Sequence, residues 1–320
     1  MVRINRVNKK EKLKISFLIA AHNEEKIIGK CLENLLNIPY NNYEIILGLD
    51  GCTDKTEEIV KKYVKKEKKI KYYILNLRQG KNVVINRIIK KASGDICIIN
   101  DADWIFVFKN KSKFHEMMKF FDDPNIGGIA ESFPAEWHKD LIRNGNIGYK
   151  MYAYSTYLWF EFQKKKFCYR KNNLLYLKEP TMFLTNIFRK ELYQDNKSLG
   201  DDFERTADIM SKGYVILMLE DIDMPRIKTT YNYVAVKDLF RQKIRTAIAR
   251  NQLNASKKMN ISFRNYYLPA AWFIFVNSWK FGIKIGFIII LWILIMIVTT
   301  FISKIKKINT KEGWTLRANR

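Results

Sequence analysis

Short apolar runs alternate along the first third of the chain with longer segments whose apolar residues recur at helical spacing. The short runs predict strands buried on both faces, at residues 15–20, 43–49, 70–75 and 96–99. The longer segments predict amphipathic helices, at residues 24–37, 54–64 and 82–91 and, further along, at 203–212. This alternation is typical of an α/β domain in which helices cover a mostly parallel sheet.

Polar side chains follow each of the four predicted strands. They are His22 with Asn23, then Asp50, then residues 78–81, and finally Asp101 with Asp103. In a parallel sheet, ligands bind beyond the carboxyl ends of the strands, so these side chains are expected to meet at one edge. Two carboxylates directly after a buried strand are costly unless a cation lies beside them. Their oxygens suit a hard divalent ion that carries a diphosphate, although Asp-x-Asp alone fits a solvated turn better.

The formal net charge of +25 over 320 residues suits an anionic partner, such as nucleic acid, an anionic membrane surface or a phosphorylated substrate. A lysine-rich proteome with no specific partner explains it too. Four widely spaced cysteines predict structural thiols in a reducing compartment, and three histidines make a histidine-based metal site unexpected. Residues 1–14 are basic and polar, which predicts a loosely held arm and no signal peptide.

As a set, these motifs resemble those of family 2 glycosyltransferases of the GT-A fold. The closer matches follow the predicted strands, in AAHNE at 20–24, LDGCTD at 49–54, GKN at 80–82 and DAD at 101–103. The looser matches lie in the second half, in TNIFRKE at 185–191, GDDF at 200–203 and LFRQKIR at 239–245. Two departures are Leu49, where the family has an acid, and Thr246, where it has a tryptophan. The second argues against a processive polymer synthase.

The resemblance covers roughly residues 15–250 and implies a GT-A-type, Rossmann-like, mostly parallel sheet with helices on both faces. It places a nucleotide-sugar-binding half at residues 15–110 and an acceptor and catalytic half at residues 111–255. It also implies a nucleotide-sugar donor, expected to be a UDP-sugar, a Mg²⁺ or Mn²⁺ cofactor, and inversion at the sugar carbon. The implied nucleotide contacts are Asn23, Asp50, Arg78, Lys81 and Asp101. The implied metal ligand is Asp103, and the implied diphosphate or acceptor contacts are Asp201, Gln242 and Arg245.

By the same resemblance, Asp202 is the general base, which takes a proton from the acceptor hydroxyl as that oxygen attacks the anomeric carbon. Asp201 beside it is expected to raise the pKa of the pair. A purely structural alternative makes Asp202 a helix cap or first-turn acid favoured by the helix dipole. If the acceptor is itself a phosphate, little deprotonation is needed and Asp202 only positions it. Arg245 likewise belongs to a basic helical stripe that suits any anionic surface.

The carboxyl-terminal part of the chain is predicted to be membrane-associated. Residues 285–302 form an eighteen-residue run without charge. This run predicts a transmembrane helix at residues 283–303, followed by a basic tail at 304–320. A buried helix of a soluble protein is an alternative. The aromatic stretch at residues 264–280 is shorter and predicts an interfacial or re-entrant segment. Residues 151–167 end in three lysines and fit a membrane-surface helix or a core helix equally well.

A nucleotide-sugar enzyme must face the cytoplasm. One span then puts the basic tail outside, against the positive-inside tendency, whereas a hairpin of both apolar segments keeps it inside. We predict one span plus an interfacial helix, with the catalytic domain on the cytoplasmic side of the membrane.

Three functions are compatible with these patterns. The first is an inverting glycosyltransferase that moves a sugar from a nucleotide diphosphate to a lipid-linked or saccharide acceptor at the membrane. The second is a polyprenyl-phosphate glycosyltransferase, whose acceptor is a phosphate. The third is a non-catalytic, membrane-tethered binder of anionic lipid or nucleic acid. No nucleic-acid-binding motif is visible and acids follow several strands, so nucleic acid is not expected as a partner.

Overall fold

The structure is a computed structural model that describes residues 13–135, 137–230, 232–256 and 258–305. Most of the predicted basic arm and basic tail therefore lie outside the described residues. The first hundred residues alternate as predicted, in the elements β1 (Ile15–Ala21), α1 (Ile28–Leu36), β2 (Tyr43–Asp50), α2 (Thr56–Lys66), β3 (Ile70–Leu75), α3 (Lys81–Ile88) and β4 (Ile96–Ile99).

Helices α1 and α2 begin later than predicted because the residues before them bind each other. The backbone N–H of Glu24 donates to Thr56 Oγ1 at 2.7 Å, and that of Glu25 donates to Asp54 Oδ2 at 3.0 Å. The other oxygen of Asp54 accepts from the N–H of Thr56 at 3.0 Å. These bonds join the two loops that follow β1 and β2, at the carboxyl edge of the sheet.

The remaining elements complete the sheet and add a helical layer. They are β5 (Trp104–Val107), α4 (Lys111–Lys119), β6 (Ile126–Glu131), α5 (Lys139–Asn144), α6 (Ile147–Phe167), β7 (Cys168–Lys171), β8 (Leu174–Leu177), β9 (Ile187–Arg189), α7 (Asp201–Ser211), β10 (Val215–Leu219), β11 (Arg226–Thr229), α8 (Val236–Ala255), α9 (Leu268–Ser278) and α10 (Ile283–Ile302).

Nine strands form one sheet in the order β3-β2-β1-β4-β9-β6-β10-β8-β7. The pairs β1–β2, β1–β4, β2–β3 and β6–β10 are parallel, whereas β9 runs antiparallel to both β4 and β6. Strand β8 is likewise antiparallel to both β10 and β7, so four of the eight neighbouring pairs are parallel. The sheet is therefore mixed, with β8 and β9 running against the other seven strands. Strand β9 joins its two halves across the predicted boundary at residue 110. Strands β5 and β11 form a separate antiparallel ribbon.

Helices cover both faces, as predicted. Because successive strand residues point to opposite faces, Phe17 and Ile19 pack in one apolar core with α1, α2 and α4. Leu18 and Ile99 pack in a second core with α3, α6 and α7. The four cysteines are free thiols, and Cys52 alone is not fully buried.

A third apolar cluster lies among the carboxyl-terminal helices. Helix α10 packs against α6, α8 and α9, with Ile289 and Trp292 almost fully buried. Its other face is exposed and apolar, for example at Phe287 and Leu294. In the described part of the chain, α10 is the one helix long and apolar enough to cross a membrane, judged by length and composition.

Helix α6 contains the stretch at residues 151–167 that had two equal interpretations. Met151, Phe160 and Phe162 are buried in three different apolar clusters, so the structure favours the core-helix alternative. Its basic end stays at the surface, where Lys165 and Lys166 are exposed.

Candidate active site

The loops after β1 to β4 lie side by side, because these strands are neighbours in the sheet. Asp50 ends β2 and is only 4 % exposed. Its two carboxylate oxygens accept the backbone N–H of Gln79 at 2.6 Å and of Gly80 at 2.8 Å. The loop at 78–80 also passes so close to Gly51 that a Cβ there would lie 2.6 Å from the backbone nitrogen of Arg78. Asp50 therefore anchors the loop that leads into α3, and its predicted contact with the nucleotide stays a prediction.

Asn23 joins the ends of β1 and β2. Its side chain donates to Thr53 Oγ1 at 3.0 Å and accepts the backbone N–H of Thr53 at 2.8 Å. Its φ of 55° is left-handed, a conformation that asparagine tolerates better than most residues. In this structure Asn23 therefore holds two loops together. Arg78, by contrast, is exposed on the loop after β3.

Lys81 begins α3 and lies close to two acids from different parts of the chain, Asp101 after β4 and Asp201 at the start of α7. Its Nζ is 2.8 Å from Asp101 Oδ1 and 3.8 Å from Asp201 Oδ2. Burial disfavours the ammonium, but the two carboxylates outweigh that effect and hold the pKa of Lys81 above its ordinary value. This ion pair brings the end of β4 to the start of α7, which are about a hundred residues apart in sequence.

The sequence predicts a helix that begins at residue 203, after both acids of GDDF. In the structure, α7 begins at Asp201, so both acids lie in its first turn. Asp201 is ion-paired with Arg205, whose Nη2 is 3.3 Å from Asp201 Oδ2 and whose side chain is 1 % exposed. Asp202 Oδ1 accepts the N–H of Phe203 at 2.9 Å. A helix N-terminus favours negative charge, which suits both positions.

The two carboxylates have opposite pKa shifts. Burial raises the pKa of Asp201, but Lys81, Arg205 and Arg245 together outweigh it and lower that pKa below the ordinary value. Burial and the neighbouring charge of Asp201 raise the pKa of Asp202 to about 7. Environments that separate the pKa values of two adjacent acids are typical of acid–base sites, so Asp202 is suited to accept a proton near neutral pH.

A cavity connects these groups with the carboxyl-terminal helices. Its charged and polar walls include Lys81, Asp101, Asp201, Asp202, Gln242, Arg245 and Arg250. Its apolar walls include Trp159 of α6, Phe203 of α7, and Trp292 and Met296 of α10. The wall of the cavity therefore combines residues from the acidic edge of the sheet with residues from the apolar helix α10.

Gln242 and Arg245 lie one turn apart on α8, so both face the same cavity. Gln242 is buried and donates from Nε2 to the Tyr152 hydroxyl at 3.0 Å. The proximity of Arg245 to Asp201 contributes to the lowered pKa of that acid. The structure thus brings the looser sequence matches of the second half next to the strand-end residues of the first half.

Asp103 is half-buried after β4 but is not on the wall of this cavity. In the described residues, no group of three or more His, Cys, Asp or Glu side chains forms a protein-only metal site. The donor set still fits a divalent ion that carries a diphosphate, because Mg²⁺ sites of this type use one or two carboxylates and fill the rest with water and phosphate oxygens. Asp101 and Asp103 supply oxygens of that kind at the edge of the sheet.

Sequence reasoning missed several wall residues. Tyr152, Trp292 and Met296 come from segments interpreted only through their apolar character. Arg205, which does not line the cavity but pairs with Asp201, was not assigned a role either. The spacing of Arg205, four residues after Asp201 on a predicted helix, is a signal for an ion pair that was available in the sequence.

The sheet with acids at its carboxyl edge, and the split acid pair beside basic α8, are the features expected of an enzyme of the GT-A type. The family model described as glycosyl transferase family 2 matches residues 16–195, more than half of the chain. A second model, glycosyl transferase family group 2, matches residues 110–304. The chain belongs to glycosyl transferase family 2 and is a glycosyltransferase.

Among curated proteins, the chain is 27 % identical over 264 residues to a dolichyl N-acetyl-alpha-D-glucosaminyl phosphate 3-beta-D-2,3-diacetamido-2,3-dideoxy-beta-D-glucuronosyltransferase of Methanococcus voltae. That match covers 77 % of this chain and 76 % of the relative. A poly-beta-1,6-N-acetyl-D-glucosamine synthase of Staphylococcus epidermidis is 33 % identical over 116 residues, which cover 36 % of this chain and 27 % of the synthase.

Among solved structures, the fold is similar to that of a mannosyltransferase of Pyrobaculum calidifontis, determined in complex with GDP-Man and Mn²⁺. The TM-score is 0.59 at 15 % sequence identity, and the match covers 92 % of this chain and 87 % of that chain. This likeness supports the GT-A fold, which is the fold class predicted from the sequence.

Proposed function

We propose that this glycosyltransferase moves a sugar from a nucleotide diphosphate, with a UDP-sugar as the first candidate donor, to a hydroxyl of a lipid-linked saccharide. The observation that carries this proposal is the cavity, whose wall contains the split pair Asp201–Asp202 together with residues of the acidic sheet edge and of the apolar helix α10. The Methanococcus relative, named for a dolichyl phosphate-linked acceptor, supports an acceptor of this kind.

In the proposed reaction, Asp202 accepts the proton of the acceptor hydroxyl while that oxygen forms the new bond to the anomeric carbon. The bond from that carbon to the diphosphate oxygen breaks, and its electrons leave with the diphosphate. Displacement from one side inverts the configuration. In this proposal Lys81 and Arg245, which line the same cavity, stabilise the leaving charge. Asp103, with Asp101, would hold a Mg²⁺ or Mn²⁺ ion that neutralises diphosphate charge when bound.

The raised pKa of Asp202 favours a hydroxyl acceptor over the second candidate, a phosphate acceptor. A hydroxyl must lose a proton as it attacks, whereas a phosphate is already ionised and needs no base. The two candidates differ in one measurable consequence. Replacing Asp202 by Asn is expected to lower transfer to a hydroxyl about a thousandfold but to leave transfer to a phosphate nearly intact.

The test is a transfer assay with the purified full chain in detergent. Radiolabelled UDP-sugars and GDP-mannose are offered with isoprenyl-phosphate-linked N-acetylglucosamine or with isoprenyl phosphate alone, in Mg²⁺ or Mn²⁺. The expected product is an extended lipid-linked saccharide that forms with wild type and not with Asp202→Asn. The matched control is Asp195→Asn. The side chain of Asp195 is 48 % exposed, and in the described part of the chain its ion pair is with Lys90, at 3.1 Å. Transfer to neither acceptor by wild type would overturn the proposal.

We further propose that α9 and α10 attach the enzyme to a membrane, with the catalytic domain on the cytoplasmic side. The exposed apolar side chains of this region include Trp272, Val276, Phe287, Leu291 and Leu294. Lysines border the apolar face at both of its ends, as in helices that bind anionic lipid surfaces.

Both ends of α10 contact the catalytic body. Phe281, just before the helix, has its ring 6.1 Å from that of Trp137, and Ser303, just after it, accepts from Asn251 Nδ2 at 3.2 Å. We therefore propose that α10 lies along the membrane surface and that both of its ends stay on the cytoplasmic side. The span predicted from the sequence would place the two ends on opposite sides.

A further inference from the structure

Arg250 is a buried cation that the proposed reaction does not use. Its side chain is 1 % exposed, and its Nε and Nη2 atoms have no hydrogen-bond partner among the described residues. Its guanidinium carbon lies 4.7 Å from the ring centroid of Tyr267, so it packs on an aromatic ring. Arg205 is equally buried and also has two nitrogens without a hydrogen-bond partner among the described residues, but it is ion-paired with Asp201 at 3.3 Å. A buried guanidinium without an anion is costly, which indicates that an anion binds there.

Arg250 lines the cavity beside the turn that carries the two catalytic-site acids. Helix α8 packs directly on that turn, because a Cβ at Gly200 would lie 3.3 Å from the Cβ of Ala249. One turn further, Gln252 Oε1 accepts the backbone N–H of Leu199 at 2.9 Å. Any anion at Arg250 is therefore held close to the start of α7.

The two arginines of α8 that line the cavity have different surroundings. The charge of Arg245 lowers the pKa of Asp201, and Asp201 also lies 3.8 Å from Lys81. Arg245 therefore belongs to the side of the cavity near the strand ends. Arg250 packs on Tyr267, in the turn before α9, and so belongs to the side of the carboxyl-terminal helices. The donor diphosphate is expected on the first side, and the second side is open to another anionic group.

The walls near this second side are apolar. Trp159 and Met182 line the cavity together with Arg250, as do Trp292 and Met296 of α10. A ligand with a phosphate and a hydrocarbon chain would match both the buried guanidinium of Arg250 and the apolar walls. Its phosphate would lie beside the guanidinium, and its chain along the walls. Arginine suits this role because its planar donors match phosphate oxygens in pairs.

We propose that Arg250 binds the phosphate of the lipid-linked acceptor and that the lipid chain lies along Trp292 and Met296. This inference rests on the proposed function and names the part of the acceptor that the enzyme recognises. Arg250 is a binding residue here, and the chemistry stays with Asp202. The same shared chemistry would admit free phosphate, which the experiment separates from the lipid.

The experiment measures binding to the purified full chain by calorimetry, with farnesyl phosphate, farnesol, inorganic phosphate and UDP as probes. The variants are Arg250→Gln and Arg250→Lys, and the control is Arg241→Gln. Arg241 lies on the same helix, its side chain is 60 % exposed, and it is 3.6 Å from Asp238. Thermal unfolding of each variant establishes that it is folded, and Arg250→Lys keeps the charge if Arg250→Gln does not fold.

We expect farnesyl phosphate to bind the wild type and the Arg241→Gln variant alike, and to bind Arg250→Gln at least tenfold more weakly. Arg250→Lys is expected between these values, and UDP affinity is expected to change less than twofold. Unchanged farnesyl phosphate affinity in Arg250→Gln would overturn the inference. So would loss of UDP binding alone, which would assign Arg250 to the donor. Inorganic phosphate that binds as tightly as farnesyl phosphate would overturn the lipid assignment.

The transfer assay separates this inference from the proposed function. Wild-type transfer to the lipid-linked acceptor, with an unchanged KM for that acceptor in Arg250→Gln, would overturn only the role of Arg250. A raised KM with little change in kcat is the expected result. Absence of transfer by wild type would overturn the proposed function, while the binding measurements would still test Arg250.

Discussion

Replacing Asp202 by Asn is expected to lower activity and raise stability together. General-base catalysis contributes a factor of about 10² to 10⁴, so we expect kcat/KM to fall about a thousandfold while UDP affinity changes little. In the wild type, kcat/KM should fall with unit slope as the pH drops below about 7, because protonated Asp202 no longer accepts a proton. A variant that keeps more than a tenth of wild-type activity would refute the role of Asp202 as base.

The stability gain follows from the raised pKa of Asp202. Its pKa is 3.8 in the unfolded chain and about 7 in the folded protein, so folding favours the protonated form. Stability is therefore lost as the pH rises from about 4 to 7, by at most about 4 kcal/mol. Asp202 is half-buried and its carboxylate accepts one backbone N–H, so we discount this limit to about 1–2 kcal/mol. The amide of Asn at this position carries no charge, so the stability of the variant does not fall in this way as the pH rises.

The assay is thermal unfolding of wild type and Asp202→Asn from pH 5 to pH 8 in EDTA, since a bound divalent ion would itself stabilise the carboxylate. We expect the variant to melt a few degrees higher at pH 7, with a difference that widens between pH 5 and 7 and then levels off. The surface control Asp195→Asn is expected to show no such widening. A variant that melts lower at pH 7, or a difference independent of pH, would refute the electrostatic reasoning.

Three further predictions test other parts of the structure. Lys81→Met removes the cation between Asp101 and Asp201, and we expect UDP affinity measured by calorimetry to fall at least tenfold; unchanged affinity would contradict the diphosphate role. Asp50→Ala leaves one buried and one half-buried N–H group unpaired, and we expect urea unfolding to show a loss of about 2–4 kcal/mol. A loss below about 1 kcal/mol would contradict its anchoring role. In a Cys52→Ser background, the single variants Lys280→Cys and Lys304→Cys should both react with an impermeant maleimide added to the cytoplasmic side of sealed vesicles. If the two cysteines react from opposite sides of the membrane, α10 spans it.

The strand and helix pattern of the first hundred residues was predictable because each element carries its own periodicity. The meeting of the strand-end residues followed from the parallel order alone. Strand β9 was not predictable in the same way: three residues suffice to pair it between β4 and β6, too few to show a period. The starts of α1 and α2 were misplaced because loop-to-loop hydrogen bonds, invisible in either segment, decide them.

Six of the predicted site residues line one cavity, namely Lys81, Asp101, Asp201, Asp202, Gln242 and Arg245, and their roles stay predictions. The contacts that these residues make were not predictable. The expected contact of Asp50 with the nucleotide stays a prediction. That both of its oxygens hold the backbone before Lys81 was not predictable, because it depends on the loop folding back over β2. Arg250 was seen in the sequence only as one of several basic residues on a helix. Its burial depends on the packing of α8 against the turn before α9, which no local pattern reveals. The same holds for Trp292, whose place on the cavity wall depends on the packing of α10.

The most direct test of the central claim is calorimetric titration of UDP, and then GDP, into the full chain with and without Mn²⁺, for wild type and Asp103→Ala. We predict that wild type binds one of the two nucleotides with an affinity that rises at least tenfold in Mn²⁺, and that Asp103→Ala loses this gain. Absence of binding by wild type to both nucleotides, or binding that neither Mn²⁺ nor the substitution changes, would contradict the placement of a nucleotide-sugar donor at this edge of the sheet.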